Sequence, residues 1–180
     1  MRELKRQQST SSFVPDFMAT SLVDVDFKVL KDRGVRYVAI DADSTLVRYR
    51  STKIAPKVKT YLDKQKQFID DWCIASNRVT NNLDIISKAL NAPVVPTGIL
   101  ARKPRQRYFR RITNHFQADP GQIAMIGDKL LADVWGGNRA GMVTVWVEHL
   151  GDDGLHDRMI RVRDWEQRII KRRLSQIDEQ

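Results

Sequence analysis

Short, nearly continuous apolar runs recur along this chain, each followed by polar residues and then by a stretch of helical length. Val35–Ile40, Trp72–Ala75, Val94–Val95, Gln122–Ile126 and Met142–Val147 are the runs. Strands apolar on both faces are buried on both faces, which is the pattern of a parallel sheet rather than of an antiparallel one with a wet side. The intervening segments predict helices over Asp24–Asp32, Pro56–Phe68, Asn81–Leu90, Pro104–Phe116 and Leu130–Ala140. Pro56 suits the first turn of its helix, and Val58, Tyr61 and Leu62 then share a face. Such alternation implies parallel strands joined by right-handed crossovers, with helices on both faces. The expected fold is therefore α/β, a three-layer Rossmann-like arrangement around a central parallel sheet.

At 180 residues, with neither repeats nor a Gly/Ser/Pro-rich linker, the chain is expected to form a single domain, 1–180. Residues 1–23 would be an N-terminal arm and 155–180 a basic C-terminal helical segment. The arm is basic at its start but leads into no apolar run. No segment approaches the roughly 20 apolar residues needed to span a bilayer. The expected location is the cytoplasm, with peripheral contact at the inner face of the membrane. A single cysteine, Cys73, excludes an internal disulfide and reads as a small buried hydrophobe. His115, His149 and His156 lack the spacing of a zinc site and are expected at the surface. Trp135 and Trp146 are expected in the core. Gly136 and Gly137, inside a helix, imply close packing against a neighbouring loop.

Ligands of open parallel sheets bind beyond the carboxyl ends of the strands. In this chain those positions carry chemistry. Asp41 and Asp43 follow the first run, Ser76 the second, Lys103 comes after the third, and Asp128 follows the fourth. Carboxylates, an ammonium and a hydroxyl at one edge are the inventory of a phosphoryl-transfer site. A carboxylate is ionised at neutral pH, so Asp41 needs no base in order to attack phosphorus. Its obstacle is repulsion by a phosphate dianion, which Mg²⁺ held by a few oxygen ligands would remove. Asp41 and Asp128 suit that role. Asp43 is placed to protonate a leaving alkoxide and then to deprotonate a water. Lys103 and Ser76 would hold the phosphoryl oxygens, and Asp133, one turn into the next helix, would tether Lys103 or a metal-bound water.

Taken in order, these segments resemble the four motifs of the haloacid dehalogenase (HAD) superfamily. Asp41-Ala-Asp43-Ser-Thr45 matches its DxDx[TV] motif, Ile74-Ala-Ser-Asn77 its second, Arg102-Lys103-Pro104 its third, and Gly127-Asp128 through Asp133 the GDxxxxD form of its fourth. Phe109-Arg-Arg111 and Asp133 through Gly141 are further similar to the YqeG-like branch, which groups capless phosphatases with phosphatidylglycerophosphate (PGP) phosphatases. Where that branch commonly reads DLDNTL, this chain has Ala42 and Ser44. The resemblance implies a Mg²⁺-dependent phosphatase working through an aspartyl-phosphate. Asp41 would be nucleophile and metal ligand, and Asp43 acid/base with its backbone carbonyl on the metal. Ser76, Asn77 and Lys103 would bind phosphate, and Asp128 would bind metal. It also implies no cap domain, because each stretch between motifs is already filled by a helix and a strand of the core.

An uncovered site favours a large partner. The balance of 31 Lys plus Arg against 22 Asp plus Glu, net +9, favours an anionic one. The C-terminal segment, with Arg158, Arg161, Arg163, Arg168, Lys171, Arg172 and Arg173 among Met159, Ile160, Trp165, Ile169 and Leu174, has the composition of a helix that lies on anionic lipid. The expected substrate is the head group of PGP. A phosphoprotein or a nucleic-acid end phosphate is the alternative, and an RNA- or ribosome-associated protein with a vestigial site the third. Against the last stand the complete set of motif residues and the lack of an aromatic-rich RNA-recognition signature.

Overall fold

The computed structural model describes residues 1–3, 13–79, 82–150 and 168. The chain divides into two units, Met1–Leu150 and Gly151–Gln180. Apart from Arg168, the basic segment 155–180 and His156 lie outside the described residues.

Six strands form one sheet: β1 (Arg2–Glu3), β2 (Phe17–Ala19), β3 (Tyr37–Ile40), β4 (Asp71–Ile74), β5 (Ile123–Gly127) and β6 (Val143–Val147), in the order β1-β2-β6-β5-β3-β4. All neighbours are parallel except β1 with β2. The helices are α1 (Phe27–Asp32), α2 (Pro56–Gln65), α3 (Leu83–Leu90), α4 (Gln106–Phe116) and α5 (Gly136–Ala140).

Strand residues alternate between two cores, as the two-residue period of a strand requires. Val38, Ile40, Trp72, Ile74, Ala124 and Ile126 pack with Phe27 and Leu30 of α1, Val58 and Leu62 of α2, and Leu83 and Ile86 of α3. Ala39, Cys73, Ile123 and Met125 face the other way, onto Tyr108, Phe109, Ile112 and Phe116 of α4. The three layers follow. On α4 the apolar residues recur on one face, while Arg107, Arg110 and Arg111 are exposed on the other.

Several elements depart from the sequence expectation. Val94–Val95 is not a strand but a single parallel bridge, Ile74 to Val94, because Pro93 and Pro96 on either side supply no N–H to a ladder. The helix expected from Asp24 begins at Phe27, since it is Asp26 whose carboxylate accepts the Lys28 N–H at 2.8 Å; Leu22–Asp24 is a separate 3₁₀ turn. Residues Leu130–Trp135 form a π-helical turn before α5, with the Val134 N–H reaching back five residues to the Lys129 carbonyl at 3.3 Å. Trp135 and Trp146 are half-buried rather than in the core.

The N-terminal arm packs. Phe17–Ala19 adds to β6 as a parallel strand, and a buried set of polar groups ties it down. Thr144 N donates to Asp16 Oδ2 at 2.8 Å, Thr144 Oγ1 to Asn138 Oδ1 at 2.8 Å, and Asn138 Nδ2 to the Val14 carbonyl at 3.0 Å. Gly136 and Gly137 do mark close packing, Gly136 against α4 and the Pro104 turn before it and Gly137 against strand residues. A Cβ on Gly136 would stand 2.5 Å from the Phe109 ring, and one on Gly137 2.8 Å from Thr144 Cγ2.

Candidate active site

β3 lies between β4 and β5, and the chain leaves it to one side and later returns on the other, so its carboxyl end is the switch point of the sheet. Register then decides what meets there. Ile40 pairs with Ile74 and with Ile126, so Asp41, Ala75 and Gly127 come level, and Ser76 and Asp128 follow one residue on. The Asp41 N–H donates to the Ile126 carbonyl at 2.9 Å and the Ala75 N–H to the Ile40 carbonyl at 2.8 Å.

Lys103 reaches into this crevice from the side, fully buried. Its ammonium stands 2.6 Å from Asp41 Oδ1, 2.6 Å from Asp133 Oδ1 and 2.6 Å from the Ala75 carbonyl oxygen. The residue is positioned by Asn77, whose Oδ1 accepts the Lys103 N–H at 2.8 Å and whose Nδ2 donates to the Lys103 carbonyl at 2.9 Å. Asn77, expected on phosphate, thus has both ends of its amide on the Lys103 main chain. The π-helical turn brings Asp133 inward, where its Oδ2 accepts the Lys129 N–H at 3.1 Å. Only glycine fits opposite: a Cβ on Gly127 would lie 2.2 Å from Asp133 Oδ2.

Carboxylate oxygens of Asp41, Asp128 and Asp133 all lie within 4.8 Å of one another. Close, buried and made only of oxygen, the set fits a hard divalent cation. Asp43, expected to offer a metal its backbone carbonyl and to use its carboxylate as acid/base, has that carboxylate on arginine. Arg78 forks onto it, with Nε 3.1 Å from Oδ2 and Nη2 on Oδ1, and Arg50 N–H donates to Oδ1 at 2.7 Å. Arg78 Nη1 continues to the Ser51 carbonyl at 3.0 Å. Ser76 is buried, and its Oγ accepts the Arg78 N–H at 3.1 Å.

Electrostatics follow from burial. Desolvation pushes Asp41 up to about 7, against the pull of Lys103 and with the repulsion of Asp133 and Asp128 adding to it. Lys103 moves up from its ordinary value: burial works against its charge, but the carboxylates of Asp133 and Asp41 outweigh it. Asp128 moves down although burial opposes this, because His149 and Lys129 hold its charged form. His149 Nδ1 is 2.7 Å from Asp128 Oδ2 and Lys129 Nζ 3.2 Å from Oδ1. The Trp146 indole donates to the Asp128 carbonyl at 2.9 Å.

His149 therefore corrects the surface expectation. It stands two residues past β6, and the strand-end rule extended to that strand would have found it. Arg78 was legible only as the neighbour of Asn77; nothing in spacing ties it to Asp43. Two hydroxyls beside the nucleophile loop, Ser44 Oγ and Thr45 Oγ1, are buried with no hydrogen-bond partner among the described residues. Ser44 holds a left-handed φ of 64°, the conformation that the family's more usual asparagine tolerates better.

The sequence model of the family described as mitochondrial PGP phosphatase matches residues 4–150, most of the chain. The chain belongs to this family, in the HAD superfamily. Within it, the chain is 30% identical to the probable phosphatase YqeG of Bacillus subtilis over 75% of this chain and 77% of that one. It is 29% identical to the Arabidopsis thaliana protein named phosphatidylglycerophosphate phosphatase 1, chloroplastic/mitochondrial, over 76% of this chain and 41% of that longer protein. Among solved structures, an uncharacterized protein from Listeria monocytogenes serotype 4b superposes with a TM-score of 0.55 at 20% identity, covering 67% of this chain and 84% of that one, which supports the fold. With this kinship and the strand-end motifs, the protein is a HAD-type phosphatase. Among the described residues no helix is long and apolar enough to cross a membrane.

Proposed function

We propose that the protein is a Mg²⁺-dependent phosphomonoesterase that removes the terminal phosphate of phosphatidylglycerophosphate through an aspartyl-phosphate on Asp41. The observation that carries the chemistry is the convergence of Asp41, Asp128 and Asp133 within 4.8 Å around a buried lysine. Asp41 and Asp128, with the Asp43 backbone carbonyl that the family resemblance implies, would hold the metal. Bound there, Mg²⁺ supplies positive charge against the phosphate dianion.

The steps belong to the chain's own groups. The Asp41 carboxylate attacks phosphorus, the P–O bond to the glycerol breaks, and Asp43 gives its proton to the leaving alkoxide. For this, one Asp43 oxygen exchanges the Arg78 fork for a proton. Asp43 then takes a proton from water, which attacks phosphorus and returns Asp41 to a carboxylate as inorganic phosphate leaves. Lys103 neutralises charge on the transferring group. Ser76, Ser44 and Thr45 are the hydroxyls available to its oxygens. Asn77 acts as a positioning residue, by setting the Lys103 main chain.

For the substrate, support comes from the name of the matching family, from that of the Arabidopsis relative, and from the basic surface. At a capless site, which the family resemblance implies, a head group at a bilayer needs no enclosing wall. The test is a panel: PGP in detergent, a phosphopeptide, an end-phosphorylated oligonucleotide and an aryl phosphate, each with Mg²⁺ and with chelator. The expected result is Mg²⁺-dependent turnover, highest in kcat/KM on PGP and lost in the Asp41→Asn protein. Preference for the peptide or oligonucleotide rejects the lipid substrate, and unchanged turnover in Asp41→Asn rejects the nucleophile.

A further inference from the structure

Between the Val94 bridge and Lys103 the chain makes a tight turn. Gly98 and Ala101 exchange both main-chain hydrogen bonds at 3.0 Å, Thr97 Oγ1 donates to the Ala101 carbonyl at 3.0 Å, and Arg111 Nη1 braces the root through the Pro96 carbonyl at 2.8 Å. Its two central residues are Ile99 and Leu100, 91% and 59% exposed. A pinned turn that holds two large aliphatic side chains out in water adds nothing to the fold.

One exposed leucine needs no explanation, but a clustered set does. Of the eight large apolar residues exposed among the described ones, five lie on segments that leave the carboxyl edge of the sheet: Tyr49, Val79, Ile99, Leu100 and Leu131. This is the edge that carries Asp41, Lys103 and Asp128. Around the Ile99–Leu100 turn and the loop after Asp43 the exposed charge is basic. No acidic residue occurs between Asp43 and Asp63 or between Asp84 and Asp119, while Arg48, Arg50, Arg102 and Arg105 are exposed. Among the described residues the carboxylates at this edge are Asp41, Asp43, Asp128 and Asp133 of the site, together with the exposed Asp84 at the start of α3 and Glu148 just past β6.

An apolar tip within a basic collar fits one surface better than others. A phosphopeptide or nucleic acid would use the arginines and leave Ile99 and Leu100 in water. An anionic bilayer uses both, since aliphatic side chains enter the acyl boundary and arginines meet the head groups. We propose that the Ile99–Leu100 turn inserts into an anionic bilayer and sets the active-site edge against it. Only Ala101 and Arg102 lie between Leu100 and Lys103, three chain steps of at most about 11 Å, so a tip in the acyl boundary leaves Lys103 near head-group level. The inference rests on the phospholipid reading above. It places the contact on this edge, whereas the sequence placed it on the C-terminal segment.

The test uses the full chain and vesicles of equal parts phosphatidylcholine and phosphatidylglycerol, with pure phosphatidylcholine as control. Wild type is expected to sediment with the mixed vesicles and not with the control. An Ile99→Ser/Leu100→Ser protein should lose about tenfold or more of its partition coefficient, as expected for two aliphatic side chains. Its hydrolysis of a water-soluble aryl phosphate should equal wild type. A Leu100→Cys protein carrying an environment-sensitive fluorophore, whose selective labelling the burial of Cys73 permits, should shift to the blue on mixed vesicles. Wild type indifferent to lipid charge, a double variant that binds undiminished, or a label that stays wet would each overturn the proposal. So would a wild-type dimer that the double variant converts to monomer, because the tip would then be an interface between copies. Turnover of PGP in detergent without vesicle binding rejects the tip alone, whereas failure to hydrolyse PGP in detergent rejects the substrate.

Discussion

Lys103 shows how strongly single residues are bound to one another here. Its ammonium is buried at 2.6 Å from two carboxylates, where removing one partner leaves buried charge uncompensated. Lys103→Met is expected to lower stability by about 3–5 kcal/mol in urea titrations. Adding Asp133→Asn should recover part of that loss, because the two substitutions touch one network. Asp41 carries the pH dependence. Its folded value, about 7, stands above the ordinary 3.8, so the metal-free fold favours the protonated form. The stabilisation from this group is complete below 3.8 and is lost as pH rises to about 7. Under the proposed function Mg²⁺ displaces that proton on binding, so it should raise Tm more on the alkaline side of pH 7 than on the acid side, which thermal melts with Mg²⁺ or chelator would check. The strand-end rule found Asp41, Lys103 and Asp128. It missed Arg78 because no local pattern reports a contact that spans 35 residues to Asp43.

At the scale of elements, apolar runs revealed the sheet and its two cores, since alternation along β3, β4 and β5 is itself the layer assignment. What the runs could not show was hydrogen-bond supply. Val94–Val95 is apolar enough for a strand, yet its flanking prolines limit it to one bridge. Nor does periodicity tell a π turn from an α turn: Leu130–Ala140 reads as one helix, but the wide turn is what carries Asp133 under Lys103. Phe17–Ala19 was too short to read as a strand, and the Asp16–Thr144 hydrogen bond that helps to hold it joins residues 128 apart in sequence. The junction of β5 with the π turn gives the element-scale prediction. Gly127→Ala places a methyl group 2.2 Å from Asp133 Oδ2 and should cost about 1–3 kcal/mol by overpacking. Activity should fall with it, as Asp133 is moved off Lys103; unchanged kcat and an unchanged urea midpoint would show that the π turn yields freely.

For the molecule as a whole, fold and kinship agree on a HAD-type phosphatase, and what remains is the covalent chemistry assigned to its central strand. The account stands on Asp41 taking the phosphoryl group onto itself. The most direct measurement is acid-quenched single turnover of an aryl phosphate with Mg²⁺, followed by peptide mass spectrometry. A phosphoryl adduct on the peptide that contains Asp41, absent in Asp41→Asn and fading as turnover completes, is the predicted result. Hydrolysis with no adduct at any time, or an adduct on another residue, would contradict it.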